Sequence, residues 1–358
     1  MEARWSRDRA NAWYAEQPWL VGCNFIPSTA INQLEMWQAD TFDPETIDRE
    51  LGWAARLGFN SARVYLHDLV WQTDANGFKG RIDRYLEIAS RHRISTIFVL
   101  FDDCWHDDPV LGTQPEPKPG VHNSGWVKSP GSKVVKNPAE WGRLEDYVSD
   151  IVSTFGSDER VVVWDIYNEP GNDFLLSLGL PVFLRYAKLI YQLGKHLLLP
   201  SPTSSLLDKA FSWARSSQPS QPLTTPTWYL AASLGSKLNA QALALSDVIS
   251  FHSYLNLEAT SRLVGELQAL GRPLLCTEYL ARKEGCLFET HLPLFKQEKI
   301  GCYNWGLVSG KTQTIYSWEE MIETGEEPPL WFHDILRADG TPYRQEEAQV
   351  IQRLTAEL

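Results

Sequence analysis

Cysteine is scarce in this chain and shows no pairing pattern. The five residues Cys23, Cys104, Cys276, Cys286 and Cys302 make an odd count without a CxxC pair, which suits reduced thiols rather than a disulfide framework. Three of them, Cys23, Cys276 and Cys302, fall in apolar strand-like runs and read as buried, reduced thiols. Positive charge is also short: 33 Lys and Arg face 45 Asp and Glu, a net charge of -12. Nucleic acid and anionic membranes reward clustered Lys and Arg, so neither is expected as a partner. No apolar run approaches the roughly 20 residues of a membrane span. Met1 to Pro18 is charged and polar and lacks the apolar segment of a secretory signal, so a cytoplasmic location is expected. The eight histidines contain no HxH pair, which weakens a metal-dependent hydrolase, and no cofactor is expected. There are no repeats, no linker and no low-complexity tract, and the whole of 1–358 is expected to form one catalytic domain.

Aromatic residues are abundant: 15 Trp, 13 Tyr and 14 Phe. Aromatic faces stack on the C–H faces of sugar rings, but tryptophan also fills large cores, and composition does not decide between the two. The chain alternates apolar β-type runs with helical patterns. The runs are 21–27, 61–66, 95–101, 161–167, 225–230, 247–254, 273–279 and 301–308. Near-continuous apolar runs suit parallel strands buried on both faces. Helical patterns lie at 43–57, 81–92, 138–155, 204–217, 233–245, 258–270, 287–297 and 344–357. Eight such alternations predict an α/β fold of the (β/α)8 barrel type. A doubly wound sheet is the alternative, but it would place a GxGxxG turn after the first strand, where Phe25-Ile26-Pro27-Ser28-Thr29 stands.

The connections after strands one, two, three, four and eight are long. Segment 102–137 carries Pro109, Pro115, Pro117, Pro119 and Pro130, and 171–203 holds room for an extra helix at about 181–196. In a barrel, loops at the C-terminal ends of the strands build the active site, so these segments are expected to wall a pocket. His122-Asn123-Ser124-Gly125-Trp126 has the composition of a lid.

Two motifs carry chemistry. The apolar run Trp164-Asp165-Ile166-Tyr167 ends in Asn168-Glu169-Pro170, and Leu274-Leu275-Cys276-Thr277 ends in Glu278-Tyr279. Counting runs puts Glu169 after the fourth strand and Glu278 after the seventh, both on the C-terminal face. Glycoside cleavage needs a proton on the leaving oxygen and stabilisation of an oxocarbenium-like centre, which two carboxyl groups can supply.

On these motifs the chain resembles clan A of the glycoside hydrolases, and is most similar in style to glycoside hydrolase family five, the cellulase-type barrels. The resemblance spans nearly the whole chain. It implies a retaining β-glycoside hydrolase, with Glu169 as acid/base and Glu278 as nucleophile. It implies that Asn168 holds the sugar 2-hydroxyl and Arg63 on strand two supports the nucleophile. His252-Ser253-Tyr254 matches the strand-six His-x-Tyr, and Trp305 matches the strand-eight floor of the cleaved-sugar subsite. The residue chemistry agrees: Arg63 can give a carboxylate a bidentate pair, Tyr254 can bond the same group, and a neighbouring Glu278 charge should raise the Glu169 pKa.

One stretch departs from the family. Strand three ends Phe101-Asp102-Asp103-Cys104-Trp105-His106, where many relatives carry a histidine. Asp102, Asp103 or Trp105 could therefore contact sugar hydroxyls. Trp37, Trp71 and Trp126 lie in loops that could also reach substrate. A metal reading of the acidic cluster at 102–108 is disfavoured because neighbouring strand residues point to opposite sides. The expected partner is a carbohydrate, and the oligomeric state stays open. An endo-acting glycanase (xylanase, mannanase or glucanase) and a sugar-binding barrel without catalysis are the alternatives.

Overall fold

Eight parallel strands form a single sheet in the computed structural model, which describes residues 3–172, 201–227, 236–318 and 325–356. The strands are β1 (Val21–Asn24), β2 (Ser61–Tyr65), β3 (Ser95–Asp102), β4 (Val161–Asn168), β5 (Leu223–Thr224), β6 (Ile249–His252), β7 (Leu274–Tyr279) and β8 (Gly301–Asn304). Their order is β5-β4-β3-β2-β1-β8-β7-β6. The two ends meet through a parallel bridge between Thr227 and Phe251, so the sheet curls into a nearly closed (β/α)8 barrel.

The sequence pattern explains the placement. Apart from the half-buried first residue of β3, every strand residue is buried, as parallel strands covered by helices require. The helix Pro44–Leu57 begins where predicted: the Asp43 side chain accepts from Thr46 N, and Pro44 occupies the first turn. Such a cap contributes about 1 kcal/mol. The helix ends at Gly58, whose φ of 97° suits glycine, and it buries Ile47, Leu51, Ala54 and Leu57 against the barrel. The other expected helices are found at Ala75–Arg91, Trp141–Phe155, Pro202–Ser216, Lys237–Leu245, Leu257–Gln268, Phe288–Gln297 and Gln345–Thr355.

One expectation shifts. The fifth strand pairs earlier than 225–230, at Leu223–Thr224, because these residues align with Trp164 and Asp165 of β4. Positions 228–230 lie outside the described residues, as does the extra helix expected at about 181–196. Short helices at Arg7–Ala15, Gln33–Trp37, Asp68–Thr73 and Ser132–Val135 were not legible as patterns. All five cysteines are free and buried. No described helix is long and apolar enough to cross a membrane.

Candidate active site

The strand-two arginine anchors the site. Arg63 is fully buried in the barrel mouth. A buried guanidinium requires counter-charge and acceptors for its donors. Its Nε and Nη2 both donate to Asp165 Oδ2, at 3.0 and 2.8 Å. Nη2 also donates to Asn168 Oδ1 at 2.6 Å. Nη1 reaches Asn24 Oδ1, Tyr65 Oη and Glu278 Oε1, at 2.8, 2.6 and 3.0 Å. The bidentate pair expected with Glu278 is thus a single contact. The flat edge of the guanidinium faces Asp165 on β4, two strands round the sheet, and only Nη1 is left to point at β7.

Glu278 closes β7 and collects three donors. Besides Arg63, Tyr65 Oη donates to Oε1 at 2.9 Å and Tyr254 Oη donates to Oε2 at 2.7 Å. This is a setting for an anion with both oxygens fixed in direction. Tyr65 lies two residues beyond Arg63 on the same strand face, so the two act on one carboxylate.

Glu169 lies just past β4 with φ at 42°, an uncommon backbone for a residue other than glycine. Such strain persists where surrounding contacts hold it, and it concentrates at functional sites. Its carboxyl is gripped on several sides. Asn172 Nδ2 and the Cys104 thiol meet Oε2, the latter at 3.1 Å, and His252 Nδ1 lies 2.6 Å from Oε1. Burial pushes the Glu169 carboxyl above its ordinary range, while the bonds from Cys104 and Asn172 and the Arg63 charge pull it back. The raised carboxyl expected from a neighbouring Glu278 charge therefore has a different main cause, desolvation. Burial also lowers His252 to about 3, so its ring is neutral at ordinary pH. Its Nδ1 lies 3.4 Å from Glu278 Oε2, placing the imidazole between the two carboxyl groups. One ligand atom of each of Glu169, His252 and Glu278 lies within 4.8 Å of the others. That spacing also suits a cation, but two tyrosine hydroxyls and a guanidinium already converge on Glu278.

The strand-three residues take supporting places. Asp102 pairs across the sheet with Asn168 and accepts from its Nδ2 at 2.9 Å. It also accepts from Trp126 Nε1 at 2.7 Å and from Cys104 N at 3.0 Å. Burial raises its carboxyl to about 7 against those bonds. Asp103 faces the other way and accepts from Tyr167 Oη, Gly171 N and Thr203 Oγ1, at 2.8, 2.6 and 2.7 Å. The hydroxyl contacts expected of these two acids give way to roles inside the protein. Asp102 orients Asn168, and Asp103 ties the Glu169 turn to the helix Pro202–Ser216. Asn168 is consequently locked at both ends of its amide.

The aromatic wall is built by Tyr65, Trp126 and Trp305. The Trp305 ring meets Tyr65 and Trp126 edge-on, with centroids 5.9 and 5.5 Å apart. Trp105 stacks on His122 at 5.3 Å. Trp37 sits instead in the core against Phe42, Phe78 and Tyr85, and Trp71 bonds Asp150 on the helical layer. Neither joins the wall. Residues 122–126 are buried and bonded to the β8 loop through Asn123 N and Thr312 O, so they form a wall rather than a lid.

Sequence reasoning did not single out Tyr65, Asp165, Asn24, Cys104, Asn123 or Asn172. Two of these left a signal. An acid inside the apolar run 161–167 needs a buried cation, and a tyrosine two positions after Arg63 shares its face.

No protein-family model matches the chain, and no curated protein matches it in sequence. Solved structures do match in shape. A GH5_18 protein from Streptomyces cattleya, solved in complex with Manb1-4GlcNAc, is 12% identical with a TM-score of 0.59, over 94% of this chain and 80% of that one. An exo-beta-1,4-mannosidase from Opitutaceae bacterium strain TAV5 is 16% identical with a TM-score of 0.61, over 94% of this chain and 59% of that one. A beta-mannanase from the blue mussel Mytilus edulis is 14% identical with a TM-score of 0.54, over 80% of this chain and 86% of that one. The structural neighbours of this barrel thus include glycoside hydrolases of family five, at low sequence identity, and what the chain shares with them is the fold.

Proposed function

We propose that this protein is a retaining β-glycoside hydrolase with Glu278 as nucleophile and Glu169 as acid/base. The carrying observation is the closeness of the two carboxyl groups, with one oxygen of each within 4.8 Å of the other. Inversion needs room for a water between carboxyl groups about 6.5–9.5 Å apart, whereas direct attack uses groups about 5–5.5 Å apart, and a nearest oxygen approach this short supports the second. In the first step a Glu278 oxygen bonds to the anomeric carbon as the glycosidic bond breaks, and the Glu169 proton goes to the leaving oxygen. In the second, Glu169 takes a proton from water, whose oxygen displaces Glu278 from the anomeric carbon. Burial of Glu169 supports the protonated starting state. The donors on Glu278 keep its oxygens aimed, and neutral His252 orients the Glu169 carboxyl through the contact of Nδ1 with Oε1.

The neighbours that are named as a mannosidase and a mannanase support β-linked sugars as the substrate class. The direct test is a panel of nitrophenyl β-glycosides and β-linked oligosaccharides. Release of sugar from at least one member is expected. Binding of several members with no turnover of any would instead favour a sugar-binding barrel.

A further inference from the structure

Beside the aromatic wall lies a crevice that the mechanism does not use. It offers about 20 Å³ to a water-sized group, enough for one hydroxyl, opens to the outside, and is lined by Asn24, Tyr65, Asn123, Trp126, Trp305 and Asp334 among others. Two of its polar side chains are unsatisfied. Asn123 is 1% exposed, yet neither its Oδ1 nor its Nδ2 has a hydrogen-bond partner among the described residues. Asp334, also 1% exposed, uses Oδ1 to accept from Thr314 and leaves Oδ2 without a partner among the described residues. Buried polar groups are bonded in the great majority of cases, so two orphans in one crevice mark a missing third party.

The backbone holds them there against resistance. Asn123 has φ at 46°, a left-handed conformation that asparagine tolerates better than most residues. Its N–H donates to Thr312 O on the β8 loop, and its own carbonyl accepts from Trp126 N. Gly306 has φ at 77°, and a methyl group there would run into Asp334 Oδ1. Glycine at this point keeps the crevice open.

Position identifies the group that fits. The crevice is walled largely from β1, β8 and their loops. These strands lie across the barrel from β4, which carries Asn168 and Glu169. A pyranose with its anomeric carbon at the two glutamates and its face on Trp305 turns its remote edge, C4 and C5, toward that side. An amide offers a donor and an acceptor, and Asp334 adds a further oxygen, so the complement is an uncharged hydroxyl that both donates and accepts.

We propose that Asn123 and Asp334 form a specificity pocket for the hydroxymethyl group on C5 of the sugar being cleaved off, making the protein selective for β-hexosides over β-pentosides. This rests on the hydrolase reading for the placement of the ring, and deepens it by naming the substrate class. A site built to bond a hydroxyl rejects the analogue lacking it strongly, because its buried polar groups are then left unpaired.

The experiment compares nitrophenyl β-glucoside, β-mannoside and β-galactoside with β-xyloside, which differs from the glucoside only in lacking the hydroxymethyl group. Wild type is expected to favour at least one hexoside over the xyloside by roughly 100-fold or more in kcat/KM. Asn123→Ala and Asp334→Asn should each shrink that ratio by about 10-fold or more. Equal losses on both substrates, with the ratio unmoved, would overturn the proposal. A second readout needs no turnover: quenching of tryptophan fluorescence by the free hexoses and by xylose, since Trp126 and Trp305 flank the crevice. Tighter binding of a hexose than of xylose, lost in Asn123→Ala, supports the pocket even if no glycoside is cleaved, in which case the hydrolase reading alone falls. Equal binding of both sugars, or of neither, with no discrimination in turnover, overturns it.

Discussion

Replacing Glu278 with alanine is expected to abolish turnover, with a loss of about 10⁴-fold or more in kcat on every substrate the wild type cleaves. No other described carboxylate is placed to substitute. Asp102 and Asp103 have their oxygens engaged by neighbouring groups, and Asp165 is held behind Arg63. The fold should survive the change. Removing one partner of a buried ion pair ordinarily costs about 3–5 kcal/mol because a charge is left unpaired. Here Arg63 retains Asp165 at 2.8 Å, so its charge stays compensated. Thermal unfolding of the variant should therefore remain cooperative, with a modest fall in Tm. The measurement is kcat alongside a melting curve. A folded Glu278→Ala variant that keeps a few per cent of wild-type activity would remove this residue from the nucleophile's role.

Replacing Glu169 with alanine should give a loss that depends on the leaving group. Substrates with alkyl or sugar leaving groups need the proton and should slow by roughly 10²–10⁴-fold. Activated aryl glycosides leave without it, so their first step should change little. Their second step loses its general base, and a burst of nitrophenol followed by a slow phase is expected. The pH dependence follows from the sign of the shift. Burial raises the Glu169 carboxyl, the protonated form is the acid, and activity should fall as pH rises through its pKa. In Glu169→Ala that basic limb should vanish. A uniform loss across leaving groups with the limb intact would assign the acid to another residue. Because burial is the chief cause of the shift, NMR titration of the Glu169 carboxyl in the inactive Glu278→Gln variant should show a smaller fall in its pKa than a pair of adjacent carboxylates would imply.

Much of this arrangement could be read before the structure. The alternation of apolar runs and helical patterns is a direct consequence of a parallel barrel buried on both faces, which is why β1 to β8 stand near their expected positions. The ends of β4 and β7 were legible for the same reason, since a lone carboxylate closing an apolar strand is conspicuous. The expectation failed where geometry between strands decides. Nothing in the sequence says that the flat edge of Arg63 faces Asp165 rather than Glu278. Nor does it say that Asp102 turns inward to Asn168 while Asp103 turns outward to Thr203. Loop tryptophans are the hardest. Trp37 and Trp126 both follow strand ends, yet one is packed in the core and the other stands against Trp305. Asn123 was legible only as part of a polar loop, because its significance lies in partners it does not have.

Direct attack of Glu278 on the anomeric carbon is reported by the configuration of the first product. Proton NMR can follow a cleaved β-glycoside within the first minutes, before the free sugar equilibrates. The β-anomer is expected to appear first, with the α-anomer growing in afterwards by mutarotation. Initial release of the α-anomer would mean a water attacks in a single displacement, and would contradict both the covalent intermediate and the role given to Glu278.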